Sequence, residues 1–181
     1  MKKTFNILTL LSATAFFISL IIYRLNPSDI FLSLTITAGT VAYHFLMRLT
    51  VGVIVNAIFH NKFNYDQFWF RPKVFEKRLY ASLKIRRWRT YIPTYSPDSF
   101  SSDHHTYNEI AGATCQAEIV HEIIILLSFA PILLAIPFGE AAVFIITSTL
   151  SALFDTQFVI LQRYNRPIIV KLIKRDINRS I

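Results

Sequence analysis

Apolar residues gather in four long runs along the chain. The runs cover residues 5–22, 30–59, 119–136 and 141–161. About 20 consecutive apolar residues are enough for a helix to cross the hydrocarbon core of a bilayer. We therefore predict an all-α integral membrane four-helix bundle, formed by residues 1–181 as a single membrane domain.

The second run is too long for one upright span, and it contains a charged residue, Arg48. Two interpretations stay open. In one, the span is broken near residue 48 and an interfacial segment follows it. In the other, a single tilted helix turns His44 and Arg48, which are four residues apart, toward the bundle interior. With Asp155 of the fourth run, these residues form a candidate intramembrane polar site, because charges inside spans are rare and usually functional.

Residues 60–118 separate the second and third runs, and we predict a cytoplasmic segment there. Its first half interleaves basic and aromatic side chains, including Arg87 and Trp88. Such a mixture can stack on single-stranded nucleic acid. Between two membrane spans it more often forms an amphipathic, basic interfacial belt, so we expect no nucleic acid partner. A loop over residues 92–106 holds His104 and His105, without further ligands at a recognisable metal spacing.

The charge pattern predicts the orientation in the membrane. The chain is 53% hydrophobic and carries a net charge of +8. With four spans, both termini and residues 60–118 lie on one side, together with all Lys and Arg residues except Arg24 and the ambiguous Arg48. The positive-inside rule then predicts a multi-pass cell membrane protein with both termini in the cytoplasm. Anionic lipid headgroups are the simplest partner for its basic residues.

The fourth run ends in a polar cluster, Gln162-Arg163-Tyr164-Asn165-Arg166-Pro167. Pro167 lacks an amide hydrogen and disfavours helix at the residue before it, so we expect a break or kink there. Arginines at such a boundary can simply reach the headgroups. Anchoring does not require the amides and the phenol, however, which provide directed hydrogen bonds. The cluster is therefore also a candidate polar site at the membrane surface.

A second group of polar residues stands at the entrance to the third run. A helix is predicted to begin near Tyr107, and its Glu118 and His121 are three residues apart on one face. A carboxylate can orient an imidazole and raise its basicity, as a general base requires. Glu-x-x-His is also half of a carboxylate-bridged metal pair, but the second half is missing. A purely structural polar network at the helix end is the third interpretation.

Several segments resemble one known family. They are Ala117-Glu118-Ile119-Val120-His121, Gln162–Pro167, Phe75-Glu76-Lys77 and Arg86-Arg87-Trp88-Arg89. Together they are similar to the glycosyl-4,4'-diaponeurosporenoate acyltransferases, which are small bacterial integral membrane proteins. The resemblance covers roughly residues 75–167. It implies esterification of a sugar hydroxyl on a glycosylated carotenoid with a fatty acyl chain, as the last step of a pigment pathway.

The resemblance also implies which residues form the site. Glu118, His121 and the stretch Gln162–Arg166 would form it, and Arg87 and Trp88 would contribute. The chain departs from the family pattern at Ile168, where a basic residue is expected, and at Asp155, where an uncharged amide is expected. The first half of the chain does not obviously match. Because of these departures, the acceptor could also be a glycolipid other than a glycosylated carotenoid, or another kind of molecule.

The leading hypothesis is a membrane acyltransferase without a cofactor or metal. His121, oriented by Glu118, would take a proton from a hydroxyl of a glycosylated lipid. That hydroxyl would attack a cytoplasmic acyl thioester, either acyl-coenzyme A or acyl carrier protein. Arg163 and Arg166 would bind donor phosphate or the oxyanion, while the remaining residues of the cluster, Gln162, Tyr164 and Asn165, would position the acceptor.

The alternative hypothesis is a non-catalytic membrane subunit, a lipid-binding scaffold or a small carrier. In that case Arg48 and Asp155 would pair for packing or line a path through the membrane.

Overall fold

A computed structural model describes residues 2–92 and 97–180 of the chain, and these residues contain helices and no strand. The all-α prediction is therefore confirmed. The α-helices are α1 (Lys2–Leu25), α2 (Asp29–Phe59), α3 (Glu76–Ser82), α4 (Ile85–Trp88), α5 (Tyr107–Leu127), α6 (Ala135–Phe138) and α7 (Ala141–Ser180). Short 3-10 helices cover Phe68–Phe70, Pro97–Phe100 and Ala130–Leu134. Residues 93–96 of the predicted loop lie outside the described residues.

Four helical segments are long and apolar enough to cross a membrane. They are Lys3–Leu25, Asp29–Phe59, Tyr107–Phe138 and Ala141–Asn178. Their outer faces carry large apolar side chains with no protein cover, such as Leu10, Phe17 and Leu126. Exposing so much apolar surface to water would be unfavourable, whereas lipid chains can cover it without a loss of free energy. The four predicted runs thus correspond to four helical segments that fit a membrane protein.

The chain forms two compact units. Among the described residues, the first unit comprises 54–92, 97–121 and 157–180, and the second comprises 2–53 and 122–156. Within the second unit, the Tyr43 hydroxyl donates to the carbonyl oxygen of Leu127 at 2.9 Å. The Ser33 hydroxyl donates to Glu140 at 2.6 Å, next to the return turn at Gly139 (φ 71°). Polar contacts between apolar helices specify their pairing, because lipid offers no alternative partner.

The second apolar run is one continuous helix, α2, which includes Arg48. In the first unit its end is capped by α5. The chain leaves α2 through two left-handed residues, His60 and Asn61. The Gln116 side chain accepts the amide hydrogen of Asn61 at 2.7 Å and donates to the Asn56 side chain at 3.1 Å. One amide of α5 therefore satisfies both the end of α2 and the turn that follows it.

The expected break at Pro167 is absent, since α7 continues through it to Ser180. Proline inside a helix removes one backbone hydrogen bond and costs about 3 kcal/mol. The carbonyl oxygen that loses its partner is that of Arg163, four residues earlier. The side chains of Arg163 and Arg166 are held by several hydrogen bonds in the first unit, as described below. We attribute the continuity of α7 to these tertiary contacts, which outweigh the local preference.

The close approach of α5 to the end of α2 predicts the effect of enlarging Gly112. A Cβ atom at this position would clash with the carbonyl oxygen of Asn61, which is backbone and cannot rotate away. We expect Gly112→Ala to lower the free energy of unfolding by about 1–3 kcal/mol, as overpacking does. Thermal unfolding of the purified protein in detergent would measure this.

Gly52→Ala is the matched control, because a Cβ atom at Gly52 meets nothing within 4 Å. Alanine favours helix over glycine by up to about 1 kcal/mol, so this variant should unfold at the same or a higher temperature than the wild type. Equal destabilisation of the two variants would contradict the proposed clash.

Candidate functional site

The centre of the first unit is the carboxylate of Glu118 on α5, which is 0% exposed. Two arginines of α7 bind it, one at each oxygen. Arg163 Nη1 donates to Oε1 at 2.5 Å, and Arg166 Nη2 donates to Oε2. The two arginines are three residues apart, so the helix presents both on one face. Glu118 therefore joins α5 to α7 through two charge-assisted hydrogen bonds.

Arg163 also binds a second buried carboxylate, Glu76 at the start of α3. Its Nε and Nη2 atoms donate to Oε1 of Glu76 at 2.8 and 2.6 Å. The remaining donors reach the carbonyl oxygens of Trp69 and Arg71, both at 3.1 Å. A guanidinium has five N–H donors. All five are used here, in the fixed fork geometry that suits arginine and not lysine.

Arg166 is 2% exposed and makes four hydrogen bonds. Its Nε donates to the Thr114 hydroxyl at 3.0 Å, and Nη2 donates to the Thr114 carbonyl oxygen at 3.1 Å. Its Nη1 donates to the carbonyl oxygen of Phe70 at 3.2 Å, and the guanidinium lies over the Phe70 ring at 4.9 Å. Thr114 precedes Glu118 by one helical turn, so a single face of α5 receives Arg166.

We call Glu76, Glu118, Arg163 and Arg166 the carboxylate–arginine network. Its two formal negative charges balance its two positive charges, and all four residues are buried or nearly so. Burying an isolated charge is very costly, whereas a paired and hydrogen-bonded one is tolerated. Both arginines spend their donors inside the protein. A phosphate or an oxyanion could reach the guanidinium groups involved only after some of these bonds break.

His121 lies one helical turn after Glu118. Its imidazole stacks on the ring of Phe158 of α7, with centroids 4.6 Å apart and planes at 8°. The stacking fixes the plane of the imidazole. His121 and Glu118 thus share a face of α5, but the oxygens of Glu118 bind guanidinium groups. Within the described residues, no three His, Cys, Asp or Glu side chains are grouped so that they could hold a metal ion.

The structure also brings together Arg87 and Tyr164, which both line a cavity of about 370 Å³ in the first unit. The ring of Tyr164 packs edge-to-face against Tyr80, with centroids 5.3 Å apart. Trp88 does not line this cavity. Its indole N–H donates to the carbonyl oxygen of Leu83 at 2.8 Å and so closes the turn between α3 and α4.

The other members of the predicted cluster differ in exposure. Gln162 is buried and Asn165 is partly buried. Tyr80, which sequence reasoning did not single out, donates its hydroxyl hydrogen to Glu76 at 2.9 Å. Burial, followed by this hydrogen bond, raises the pKa of Tyr80, so the phenol stays protonated at neutral pH. The bond links the cavity wall to the carboxylate–arginine network.

The candidate intramembrane residues lie in the second unit. Arg48 donates to Asp155 from Nε at 3.0 Å and from Nη2 at 2.5 Å. Its Nη2 also donates to the Ser151 hydroxyl at 2.7 Å, and its Nη1 donates to the carbonyl oxygen of His44 at 2.9 Å. The Ser151 hydroxyl is 2.9 Å from that of Ser128. The charges of Arg48 and Asp155 are therefore paired, as a membrane interior requires.

Two polar side chains near this pair in sequence are buried without a hydrogen-bond partner among the described residues. They are the imidazole of His44, at both nitrogens, and the hydroxyl of Ser148. A buried polar group without a partner costs about 1–3 kcal/mol. The polar packing of the second unit is thus incomplete at these two positions. The intramembrane polar site stays a prediction separate from the site in the first unit.

Sequence reasoning missed Glu76 and Thr114 as members of the network. Glu76 offers one signal, because it is a lone carboxylate within a strongly basic segment and can be expected to meet an arginine. Thr114 offers no such signal in the sequence, since the hydroxyl of a threonine in an apolar helix usually donates to a backbone carbonyl of the preceding turn. Its hydroxyl does donate to the Ala111 carbonyl oxygen at 2.7 Å while accepting from Arg166.

The charge balance of the network predicts the effect of removing one carboxylate. Glu118→Ala leaves Arg166 buried with an uncompensated charge, and we expect a loss of about 3–5 kcal/mol in unfolding free energy. The double variant Glu118→Ala with Arg166→Ala should recover part of this loss, because both charges are gone. The free energies of unfolding of the wild type, the two single variants and the double variant would be measured in detergent, with Asp103→Ala at an exposed position as the control. Additive losses in the double variant would contradict the coupling.

The Arg48–Asp155 pair predicts a second, independent cycle. Arg48→Ala and Asp155→Ala should each reduce the yield of folded protein in membranes, because each leaves one charge inside the second unit. The double variant should be recovered at a higher level than either single variant. Size-exclusion chromatography in detergent would compare the four proteins. A double variant no better folded than the worse single variant would contradict a structural pair.

Comparison with known proteins agrees with the resemblance seen in the sequence. The profile of the glycosyl-4,4'-diaponeurosporenoate acyltransferase family matches residues 66–175, which is more than half of the chain. Neither the search of curated proteins nor the search of solved structures gave a match. The matched range contains the carboxylate–arginine network, His121 and the lining of the cavity. The chain therefore belongs to the glycosyl-4,4'-diaponeurosporenoate acyltransferase family.

Proposed function

We propose that the protein is a membrane acyltransferase that moves a fatty acyl group from a thioester donor to a hydroxyl of a glycosylated carotenoid or related glycolipid. The observation that carries the proposal is the family match over residues 66–175. The family name specifies acyl transfer, and the matched range holds every residue to which we assign a role below.

His121 is the proposed general base. It would accept the proton of the acceptor hydroxyl while the hydroxyl oxygen attacks the thioester carbonyl carbon. The carbon–sulfur bond then breaks, and His121 returns the proton to the leaving thiolate. The imidazole needs a fixed plane for both transfers. Its stacking on Phe158, with planes at 8°, supports this assignment.

Glu118, Arg163 and Arg166 are proposed as positioning residues. Since Glu118 binds a guanidinium at each oxygen, it holds α5 against α7 one turn before His121. Correct placement of a base within a few tenths of an ångström strongly affects its rate. This role replaces the direct binding of donor phosphate by the two arginines. Gln162 and Asn165 stay the proposed acceptor contacts, as they lie on α7 with the two arginines, whereas Tyr164 of the same helix lines the cavity.

We further propose that the site faces the cytoplasm. Both termini and the basic segment 60–118 would lie on that side by the distribution of Lys and Arg. A thioester donor, whether acyl-coenzyme A or acyl carrier protein, is then available from water. The glycosylated acceptor, a membrane lipid by its apolar chain, would present its sugar at the same surface.

The non-catalytic alternative rests mainly on the charges of the second unit. Arg48 and Asp155 bond directly to each other, and Arg48 also bonds to Ser151. An ion pair of this kind is sufficiently explained by helix packing. It therefore gives no separate support to a carrier, and we favour the acyltransferase.

The proposal predicts a change in cell lipids that depends on His121. Cells that contain glycosylated carotenoids and express the wild type should gain a species heavier by one acyl chain, which fragment ions would localise to the sugar. His121→Ala should reduce this product by about 100-fold or more, the usual contribution of a general base. Lipid mass spectrometry at matched membrane levels of protein would measure it.

His104→Ala is the control, because His104 is exposed in the loop before α5. It should leave the product unchanged. Full product from His121→Ala would rule out His121 as the base. Identical lipid profiles with and without the wild-type protein would rule out acyl transfer to these acceptors.

A further inference from the structure

Two sets of cations in the first unit differ in how they are bound. Arg163 and Arg166 are buried and neutralised by carboxylates. Lys84, Arg86 and Arg87 are exposed and line the cavity of about 370 Å³. Within the described part of the chain, none of these three side chains makes a hydrogen bond or ion pair. A ligand in the cavity could therefore reach them.

The composition of the cavity lining points to an anionic ligand with an aromatic part. The lining consists of Tyr80, Ala81, Lys84, Arg86, Arg87 and Tyr164. It contains no carboxylate, and Glu76, which accepts from the Tyr80 hydroxyl, is already paired with Arg163. Guanidinium and ammonium groups are the usual phosphate-binding groups. The rings of Tyr80 and Tyr164 add aromatic surface on which a planar base can stack, and the guanidinium of Arg89 lies over the Tyr164 ring at 5.6 Å, which adds a further cation beside this surface.

The cavity wall is held firmly, which favours binding. Ile85, between the cationic residues, is 0% exposed and anchors the turn in the interior. The indole of Trp88 closes the same turn through the Leu83 carbonyl oxygen. A further lining residue, Tyr80, donates its hydroxyl hydrogen to Glu76. A ligand would therefore lose little free energy to ordering the protein backbone.

We propose that this cavity binds the phosphate esters and the base of a coenzyme A thioester, and that Arg86 and Arg87 contact the phosphates. The inference rests on the proposed function, because it identifies the donor of that reaction. The phosphodiester of an anionic phospholipid carries one negative charge, whereas the nucleotide part of coenzyme A carries several. Three cations with two tyrosines match the nucleotide better. The volume also falls within the range of small-molecule sites, roughly 300–1,000 Å³.

The test is direct binding to the full chain in nanodiscs of uncharged lipid, with coenzyme A as the probe and calorimetry as the readout. Wild type is compared with Arg86→Gln plus Arg87→Gln. The control is Lys77→Gln plus Arg78→Gln, which removes the same charge from exposed positions of α3 outside the cavity lining. We expect the Arg86/Arg87 variant to bind at least about tenfold more weakly, and the control to stay within about twofold of wild type.

Three outcomes would overturn the inference. The first is no binding of millimolar coenzyme A to the wild type. The second is an equal loss in both double variants, which would indicate a diffuse basic surface. The third is loss of binding to vesicles that contain anionic phospholipid in the Arg86/Arg87 variant, with coenzyme A not competing. That result would assign the cavity to lipid headgroups.

The binding test and the acyl-transfer test distinguish failure of the donor site from failure of the proposed function. If coenzyme A binds as expected while no acylated lipid forms in cells, the proposed function fails and the nucleotide site stands. If acylated lipid forms equally well in wild type and in the Arg86/Arg87 variant at limiting donor, the donor site fails and the acyltransferase stands. The control variant should keep full product in that assay.

Discussion

The first unit depends on one buried carboxylate shared by two guanidinium groups. Glu118 has no access to solvent, and Arg163 and Arg166 each bind one of its oxygens, so its buried polar atoms are paired. Glu76 then balances the second positive charge. This requirement for neutrality fixes α3, α5 and α7 against each other more specifically than apolar packing would, because a shift of one residue would leave a charge unpaired.

The same network explains why the local rules fail at Pro167. A proline after Arg166 disfavours helix at that arginine, and in an isolated peptide the helix would end there. Here Arg166 must stay helical to reach both Thr114 and Glu118, which are themselves one turn apart on α5. Two helices that present complementary side chains at the same spacing reinforce each other. The local penalty of about 3 kcal/mol is smaller than the penalty for an unpaired buried charge.

The sequence predicts the helices well because long apolar runs in a membrane protein have few alternatives to helix. It also predicts that Glu118 and the Gln162–Pro167 cluster come to one place, since the order of the four runs requires it. It does not predict which side chains form hydrogen bonds with each other at that place. Spacing along α5 places Glu118 and His121 on one face, whereas the two arginines that bind the oxygens of Glu118 come from α7. Glu76, 42 residues before Glu118 in sequence, is beyond any local pattern.

The binding of Arg163 and Arg166 within the protein has a consequence for how a small membrane enzyme uses its many basic residues. A guanidinium that is buried and fully hydrogen-bonded holds the surrounding helices rigidly. To bind a ligand it would have to break those hydrogen bonds, which would cost a large part of the stability of the fold. An exposed guanidinium on an ordered turn, such as that of Arg87, breaks no protein hydrogen bond described in the structure when it binds an anion. Position in the motif therefore does not decide the role of each arginine. The degree of pairing is the better guide: Arg163 and Arg166 are bonded to buried carboxylates, whereas Arg86 and Arg87 are exposed at the cavity, and this difference is the physical ground for the roles we propose for them.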